Sequence, residues 1–269
     1  MVTELASLFR LDGRVAIITG GAGLLGAEFC RTLTEAGAQV VAADLNEAAG
    51  HALVQAGSAA LAVATDVASP DSVHSMVETT LTAYGRLDIL VNSAAMDPEF
   101  DPKQVGHTNA FEDHPLEVWR QALDVNLTGM FLACQAAVRP MLAQGGGVII
   151  NLSSIYGLTA PDQRIYQRPG APAQYKPVYY SVTKSGVLGL TQYLAAYYAG
   201  KNIRVNALSP GGVYNGHDDI FVQAYSARSV LGRMAEKDEM NGALLFLASD
   251  ASTYMTGANL VVYGGWTTW

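Results

Sequence analysis
Seven short apolar runs, separated by helix-length amphipathic segments from end to end, restrict what this chain can fold into. The runs fall at 14–19, 39–44, 59–66, 87–92, 147–151, 203–209 and 259–263, and the helical segments at 24–36, 69–84, 115–143, 179–199 and 235–249. Val, Ile, Leu and Ala dominate the runs with no polar alternation, the pattern of strands covered on both faces. Repeated alternation of this kind predicts parallel strands joined by right-handed crossovers, an α/β fold with a doubly wound sheet. At 269 residues, half of them hydrophobic, the chain is long enough for one large domain spanning 1–269, and no internal repeat divides it.

Three irregular stretches interrupt the alternation, at 96–114, 155–178 and 213–232, each following a strand. Ligands of open α/β sheets bind on that side, and long loops in compact domains are usually lids or binding loops. A substrate loop at 155–178 and a lid region at 213–232 are therefore expected.

The formal net charge is −8, with no basic run and no basic stripe interleaved with aromatics. Nucleic-acid partners need positive charge to replace phosphate counterions, so that class is set aside. The two cysteines, Cys30 and Cys134, fall in apolar helical segments and read as buried thiols rather than a disulfide or metal pair. The opening Met1-Val2-Thr3-Glu4-Leu5 lacks the basic and apolar blocks of a signal peptide, and no apolar run is long enough to span a bilayer. A soluble, cytoplasmic protein without a membrane partner is the expectation.

After the first run, Thr19-Gly20-Gly21-Ala22-Gly23-Leu24-Leu25-Gly26 brings the backbone close to a neighbour and then starts a helix. Such a turn can simply pack a strand on a helix, but its N–H groups also favour a diphosphate. Asp44 favours the second reading. It ends the second run 18 residues beyond Gly26, where a carboxylate accepts hydrogen bonds from the hydroxyls of an adenosine ribose. No Arg or Lys neighbours it in Ala43-Asp44-Leu45-Asn46, and a carboxylate repels a 2′-phosphate, so NAD rather than NADP is expected. Asp66 and Val67 end the third run and Asn92-Ser93-Ala94-Ala95 the fourth, where small residues would let a cofactor lie against the sheet edge.

Tyr180 and Lys184 stand four residues apart in Tyr180-Ser181-Val182-Thr183-Lys184 and share one helix face. An ammonium beside a phenol favours the phenolate, lowering it from its usual value of about 10 and suiting it to proton exchange with an alcohol. Tyr197 and Lys201 repeat the spacing, but Gly200 lies between them at the expected helix end and no suitable Ser pair precedes them. Tyr179, five residues from Lys184, belongs to another face.

In order along the chain, the glycine turn, Asp66, Asn92-Ser93-Ala94-Ala95, Asn126, Ser154, Tyr180, Lys184, Pro210-Gly211, Thr256-Gly257 and Gly264-Gly265 resemble the short-chain dehydrogenase/reductase family. The match covers essentially the whole sequence. It implies a Rossmann-type sheet of about seven strands with helices on both faces. It also implies roles: Tyr180 as acid/base, Ser154 holding the substrate oxygen, and Lys184 lowering the tyrosine pKa and binding the nicotinamide ribose. Asn126 would prop a water that links Lys184 to solvent, and Val213, just after Pro210-Gly211-Gly212, would meet the nicotinamide carboxamide through its backbone. A homotetramer is the assembly the family implies, and it suits the apolar helices expected at 115–143 and 179–199.

The chain departs from that family's pattern in places. Leu24 stands where compact members usually carry glycine, a spacing that resembles the extended epimerase branch. The compact branch is expected nonetheless, because the tail runs straight into a final strand and stops at Trp269. Ser154 and Tyr180 are 26 positions apart, about twice the usual family gap, and Tyr263 stands where an Asp commonly precedes the glycine pair. The surplus after Ser154 carries Tyr156, Asp162, Arg164, Tyr166, Arg168, Tyr175 and Lys176. Hydrogen-bonding side chains and two arginines suit a polar, hydroxylated or anionic substrate, with Tyr156, Arg164 and Arg168 as contacts beside Ser154 and Tyr180. Solvated charges that touch nothing are the plain alternative for either arginine.

The expected function is NAD-linked oxidation of a secondary alcohol on a sugar, sugar acid or polyol. A 3-oxoacyl thioester reductase is the alternative within the family, opposed by Asp44 and by the lack of a basic entrance. A catalytically silent cofactor-binding scaffold is the alternative of another class, opposed by the intact Ser154, Tyr180, Lys184 and Asn126. His107 and His114 near Asp113, and His217 beside Asp218 and Asp219, have no helical His-x-x-x-His spacing, so no metal is expected.

Overall fold
The computed structural model describes residues 4–97 and 109–269; His107 and much of the stretch 96–114 lie outside the described residues. Strands β1 (Val15–Thr19), β2 (Gln39–Asp44), β3 (Leu61–Ala64), β4 (Ile89–Asn92), β5 (Gly147–Leu152), β6 (Ile203–Pro210) and β7 (Asn259–Val262) form one parallel sheet. Their order is β3-β2-β1-β4-β5-β6-β7. Every run read from sequence coincides with a strand, β5 and β6 each extending one residue past theirs, and the fold is the doubly wound, Rossmann-like single domain expected.

Strand side chains alternate between the two faces of the sheet, and here both faces are apolar. Ala16, Ile18, Val40, Val91 and Ile150 pack with Phe29 and Leu33 of α1 (Leu24–Glu35) and Leu244 and Leu247 of α8 (Asn241–Ala248). Ile17, Val41, Leu90, Ile149 and Val205 face the other way. They meet α3 (Pro70–Tyr84), α5 (Gly129–Gln144) and α6 (Val178–Tyr197) through Met76, Met141 and Val187. Each fully buried Ile, Leu or Phe adds roughly 1.5–3 kcal/mol over leaving it in water, so neither face tolerates polar alternation.

Three helical features differ from the sequence expectation. The segment 115–143 is helical from Leu116 onward but not uniformly α. It comprises α4 (Leu116–Leu123), a widened π-helical turn at Asp124–Thr128, and α5. Two helices went unread, α2 (Glu47–Gln55) and α7 (Asp219–Ser226). Both are short, and side-chain caps define their starts: Asn46 accepts from Ala49 N and Asp218 from Phe221 N.

The strand order reverses between β1 and β4, and the carboxyl ends of parallel strands at such a reversal open a crevice. Two glycines allow the close approach there. Gly20 has φ +64°, and a Cβ on it would lie 2.7 Å from Ala94 Cα. A Cβ on Gly26 would lie 2.0 Å from the Gly20 carbonyl oxygen.

The long stretches 155–178 and 213–232 are not structureless. Ile155, Tyr156, Ile165 and Tyr166 of the first pack with Phe221 and Tyr225 of α7, Met234 and Trp266 in a core of their own. Arg168–Asp218 and Arg228–Asp162 ion pairs join the two stretches.

Candidate active site
A cleft of about 790 Å³ runs across the carboxyl ends of the strands, from Asp44 at the end of β2 to His217 and Phe221 near α7. At its β1 end, Gly20, Gly23, Leu24, Leu25 and Gly26 line the wall. Helix α1 begins here with Gly23 as its N-cap and no side chain capping it. The first N–H groups of a helix have no intrahelical partner and carry the positive end of its dipole, so this wall suits a diphosphate. Asp44 Oδ2 accepts from Ala22 N and Oδ1 from Asn46 N, both at 2.9 Å, which holds the carboxylate beside the glycine turn. Asp66, Val67, Ala94, Pro210, Gly211 and Val213 continue the lining.

Two residues assigned to cofactor and catalysis sit behind this wall rather than on it. The Asn92 side chain is 2 % exposed, bonded to Asn151 Oδ1 at 2.9 Å, with Asn151 in turn bonded to Thr191 of α6. Asn92 shares strand parity with Leu90, so its side chain points into the helix layer and away from the cleft. Asn126, in the π-helical turn, is also buried. Its Oδ1 accepts from Met96 N at 2.5 Å and its Nδ2 donates to Met96 O and Thr183 Oγ1. It therefore ties the β4 loop to the helix turn just before Lys184.

Tyr180 lies in the first turn of α6, whose N-cap is Pro177. Its phenol lies beside Ser154, whose Oγ accepts from Tyr156 N at 3.1 Å. Lys184, one helical turn on, is 4 % exposed, and its Nζ donates to Leu152 O at 2.9 Å. Its Nζ is 5.7 Å from the Tyr180 ring centre, so both side chains do share one face as the spacing requires.

The electrostatic balance is not the one read from spacing. Burial pushes the Tyr180 phenol above its usual value, the Asp97 charge adds to this, and only the Ser154 hydrogen bond opposes it. Burial likewise lowers Lys184 to about 8, against the pull of Asp97. Desolvation is the largest cause at both groups, since both charged forms are costly away from water.

The second cation was not assigned. Lys176 Nζ lies 4.2 Å from the Tyr180 ring centre and pairs with Asp97 Oδ1 at 2.5 Å. Both line the cleft, as does Arg168. Arg164 does not: its side chain is 81 % exposed and doubly bonded to Asp162, outside the cleft lining. Tyr156 stands edge-on to Tyr180 at 6.4 Å, its hydroxyl bonded by Tyr166 at 3.0 Å. No local pattern marks Asp97 or Lys176, because 79 residues separate partners that only the fold brings together. Among the described residues, no group of three or more His, Cys, Asp or Glu is placed to hold a metal, and no helix is long and apolar enough to cross a membrane.

A buried tyrosine, a serine beside it and a lysine on the same helix face share one cleft with an uncapped helix start, an arrangement suited to moving a proton beside a bound diphosphate. A family model described as enoyl-(acyl carrier protein) reductase matches residues 21–267. D-threitol dehydrogenase of Mycolicibacterium smegmatis is 38% identical over 268 residues, covering 96% of this chain and 95% of that protein. A 3-alpha-(or 20-beta)-hydroxysteroid dehydrogenase of Mycobacterium tuberculosis is 38% identical, covering 95% of this chain and 90% of that protein. Galactitol 2-dehydrogenase (L-tagatose-forming) of Cereibacter sphaeroides is 35% identical, covering 98% of each. Among solved structures, a gluconate 5-dehydrogenase from Burkholderia cenocepacia in complex with NADP and tartrate superposes with TM-score 0.86 at 31% identity, covering 99% of this chain and 100% of that one. A short chain dehydrogenase from Leptospira borgpetersenii with bound NAD+ gives 0.85 at 30%, covering 99% and 97%. The chain belongs to the short-chain dehydrogenase/reductase family. It is an enzyme of that family acting on CH–OH groups with a nicotinamide cofactor.

Proposed function
We propose that this enzyme oxidises a secondary alcohol of a polyol, sugar or sugar acid with NAD, using Tyr180 as acid/base. One observation carries the reading: Tyr180, Ser154 and Lys184 converge on the cleft that also holds the uncapped start of α1 and the Asp44 carboxylate. The bound cofactor supplies the hydride acceptor. Ser154 Oγ holds the substrate oxygen while Tyr180 takes the hydroxyl proton as the carbon gives up hydride. Lys184 stands below Tyr180 to balance the charge it gains, and Asn126 positions the adjoining backbone.

NAD is supported by the placement of charge. The cations that line the cleft among the described residues, Arg168, Lys176 and Lys184, belong to the stretch 155–178 and to α6. None accompanies Asp44, whose carboxylate would repel a 2′-phosphate. A polyol is supported by the polar lining around Tyr180 and by the relatives that carry polyol names. A homotetramer suits the exposed stacked Tyr193 and Tyr197 on α6, and the chain's composition suits a cytoplasmic place.

The test is reduction of NAD and of NADP by a panel of alditols, aldoses and aldonates, with Tyr180→Phe as control. Tyr180-dependent turnover with NAD supports the assignment, while turnover unaffected by the substitution removes it.

A further inference from the structure
Two ion pairs frame the cleft beside Tyr180, and both connect the stretch 155–178 to an opposite wall. Lys176 meets Asp97 of the β4 loop and Arg168 meets Asp218 at the start of α7, each at 2.5 Å. All four residues line the cleft. We propose that these pairs make the substrate end charge-compensated, so that it selects uncharged polyols against the corresponding aldonates. The inference rests on the dehydrogenase reading above and narrows its substrate class.

The order of exposure sets the selection. The cations are the sheltered partners, with side chains 13 % exposed for Lys176 and 17 % for Arg168, whereas Asp97 and Asp218 are 41 % and 53 % exposed. An incoming carboxylate therefore meets carboxylates first. Arg168 is further committed, since its Nη1 donates to Ile165 O and Gln167 O. Lys176 is committed too, lying over the Tyr180 ring. To bind an anion, either cation would have to leave its partner and strand a half-buried carboxylate beside a second negative charge, and like-charge juxtaposition of this kind is strongly unfavourable. A hydroxyl needs no such exchange. Carboxylate oxygens have lone pairs beyond those the cations take, and a hydroxyl donating to one makes a charge-assisted hydrogen bond. The site thus accepts donors and opposes anions.

The experiment compares two substrate pairs that differ only at one terminal carbon, D-threitol with D-threonate and galactitol with galactonate. Rates and competitive inhibition constants are measured on the full-length enzyme with NAD. Wild type is expected to favour the alditol by at least about fiftyfold in kcat/KM, within the range set by close charge pairs. Asp97→Asn and Asp218→Asn each remove one negative charge at constant shape, and Asn retains the cap on α7. Each is expected to lower the aldonate KM or inhibition constant by roughly tenfold, with the cofactor KM unchanged. Equal kcat/KM for alditol and aldonate in wild type overturns the proposal. So does an equal effect of both substitutions on the two substrate kinds. If no alcohol gives Tyr180-dependent turnover, the dehydrogenase reading falls and takes this inference with it. If alditols do but aldonates match them, only the charge selection falls.

Discussion
The Lys176 ammonium lies 4.2 Å from the centre of the Tyr180 ring, nearer than Lys184 at 5.7 Å. Tyr180 is therefore held between two cations, one from its own helix and one from the inserted stretch, while Asp97 on Lys176 opposes both. Its pKa is governed by burial and by the Asp97 charge, both raising it, with the Ser154 hydrogen bond opposing them, and not by the four-residue spacing alone.

Tyr180→Phe removes the proton acceptor and leaves the ring packing. Turnover is expected to fall by about 10²–10⁴-fold, with NAD binding, read by fluorescence titration, unchanged.

The pH dependence follows from the raised phenol. Alcohol oxidation needs Tyr180 without its proton, so kcat/KM for oxidation is expected to climb with alkaline pH and show no plateau near neutrality. Asp97 contributes to holding the proton on. Asp97→Asn should move the rising limb to lower pH; a limb that stays in place refutes the coupling.

Asp44→Ala removes the carboxylate that would repel a 2′-phosphate. The ratio of kcat/KM for NAD over NADP is expected to drop by roughly tenfold or more, the scale of one charge contact. A ratio that does not move would show that selectivity lies elsewhere.

Gly20→Ala places a methyl 2.7 Å from Ala94 Cα at a backbone with φ +64°. The cost is expected to be about 2–3 kcal/mol of stability, with cofactor affinity falling as well. Denaturant unfolding measures the first. Gly57, at φ +72° but with nothing nearby, isolates the conformational part when substituted alone.

Glu28 on α1 pairs with Arg31 and with Lys237, and is drawn down to about 2, chiefly by the Lys237 hydrogen bond and then by Arg31. A carboxyl lowered in the fold stabilises above its unfolded value near 4.5, and that support is lost as pH falls toward 2. Both cations stand about half in solvent, which limits the effect to about 1 kcal/mol. Glu28→Gln should therefore be less stable than wild type at pH 7 by about that amount, with the gap narrowing as the pH is lowered from about 4.5 toward 2.

Local chemistry made much of this enzyme readable in one dimension. Apolar runs without alternation mark strands with two covered faces, glycines at a strand end mark a close approach, and Tyr180 with Lys184 marks a helix face. Each depends on residues a few positions apart, where backbone geometry alone sets who meets whom. Tertiary structure decided the rest. Asn92 turns under the sheet because strand parity sends it there, and Arg164 faces solvent while Arg168 reaches the cleft. Burial, not the neighbouring ammonium, governs the Tyr180 phenol, and Asp97 finds Lys176 across 79 residues. Desolvation and long-range charge pairing depend on which surfaces the folded chain closes together, and no spacing along the sequence encodes that.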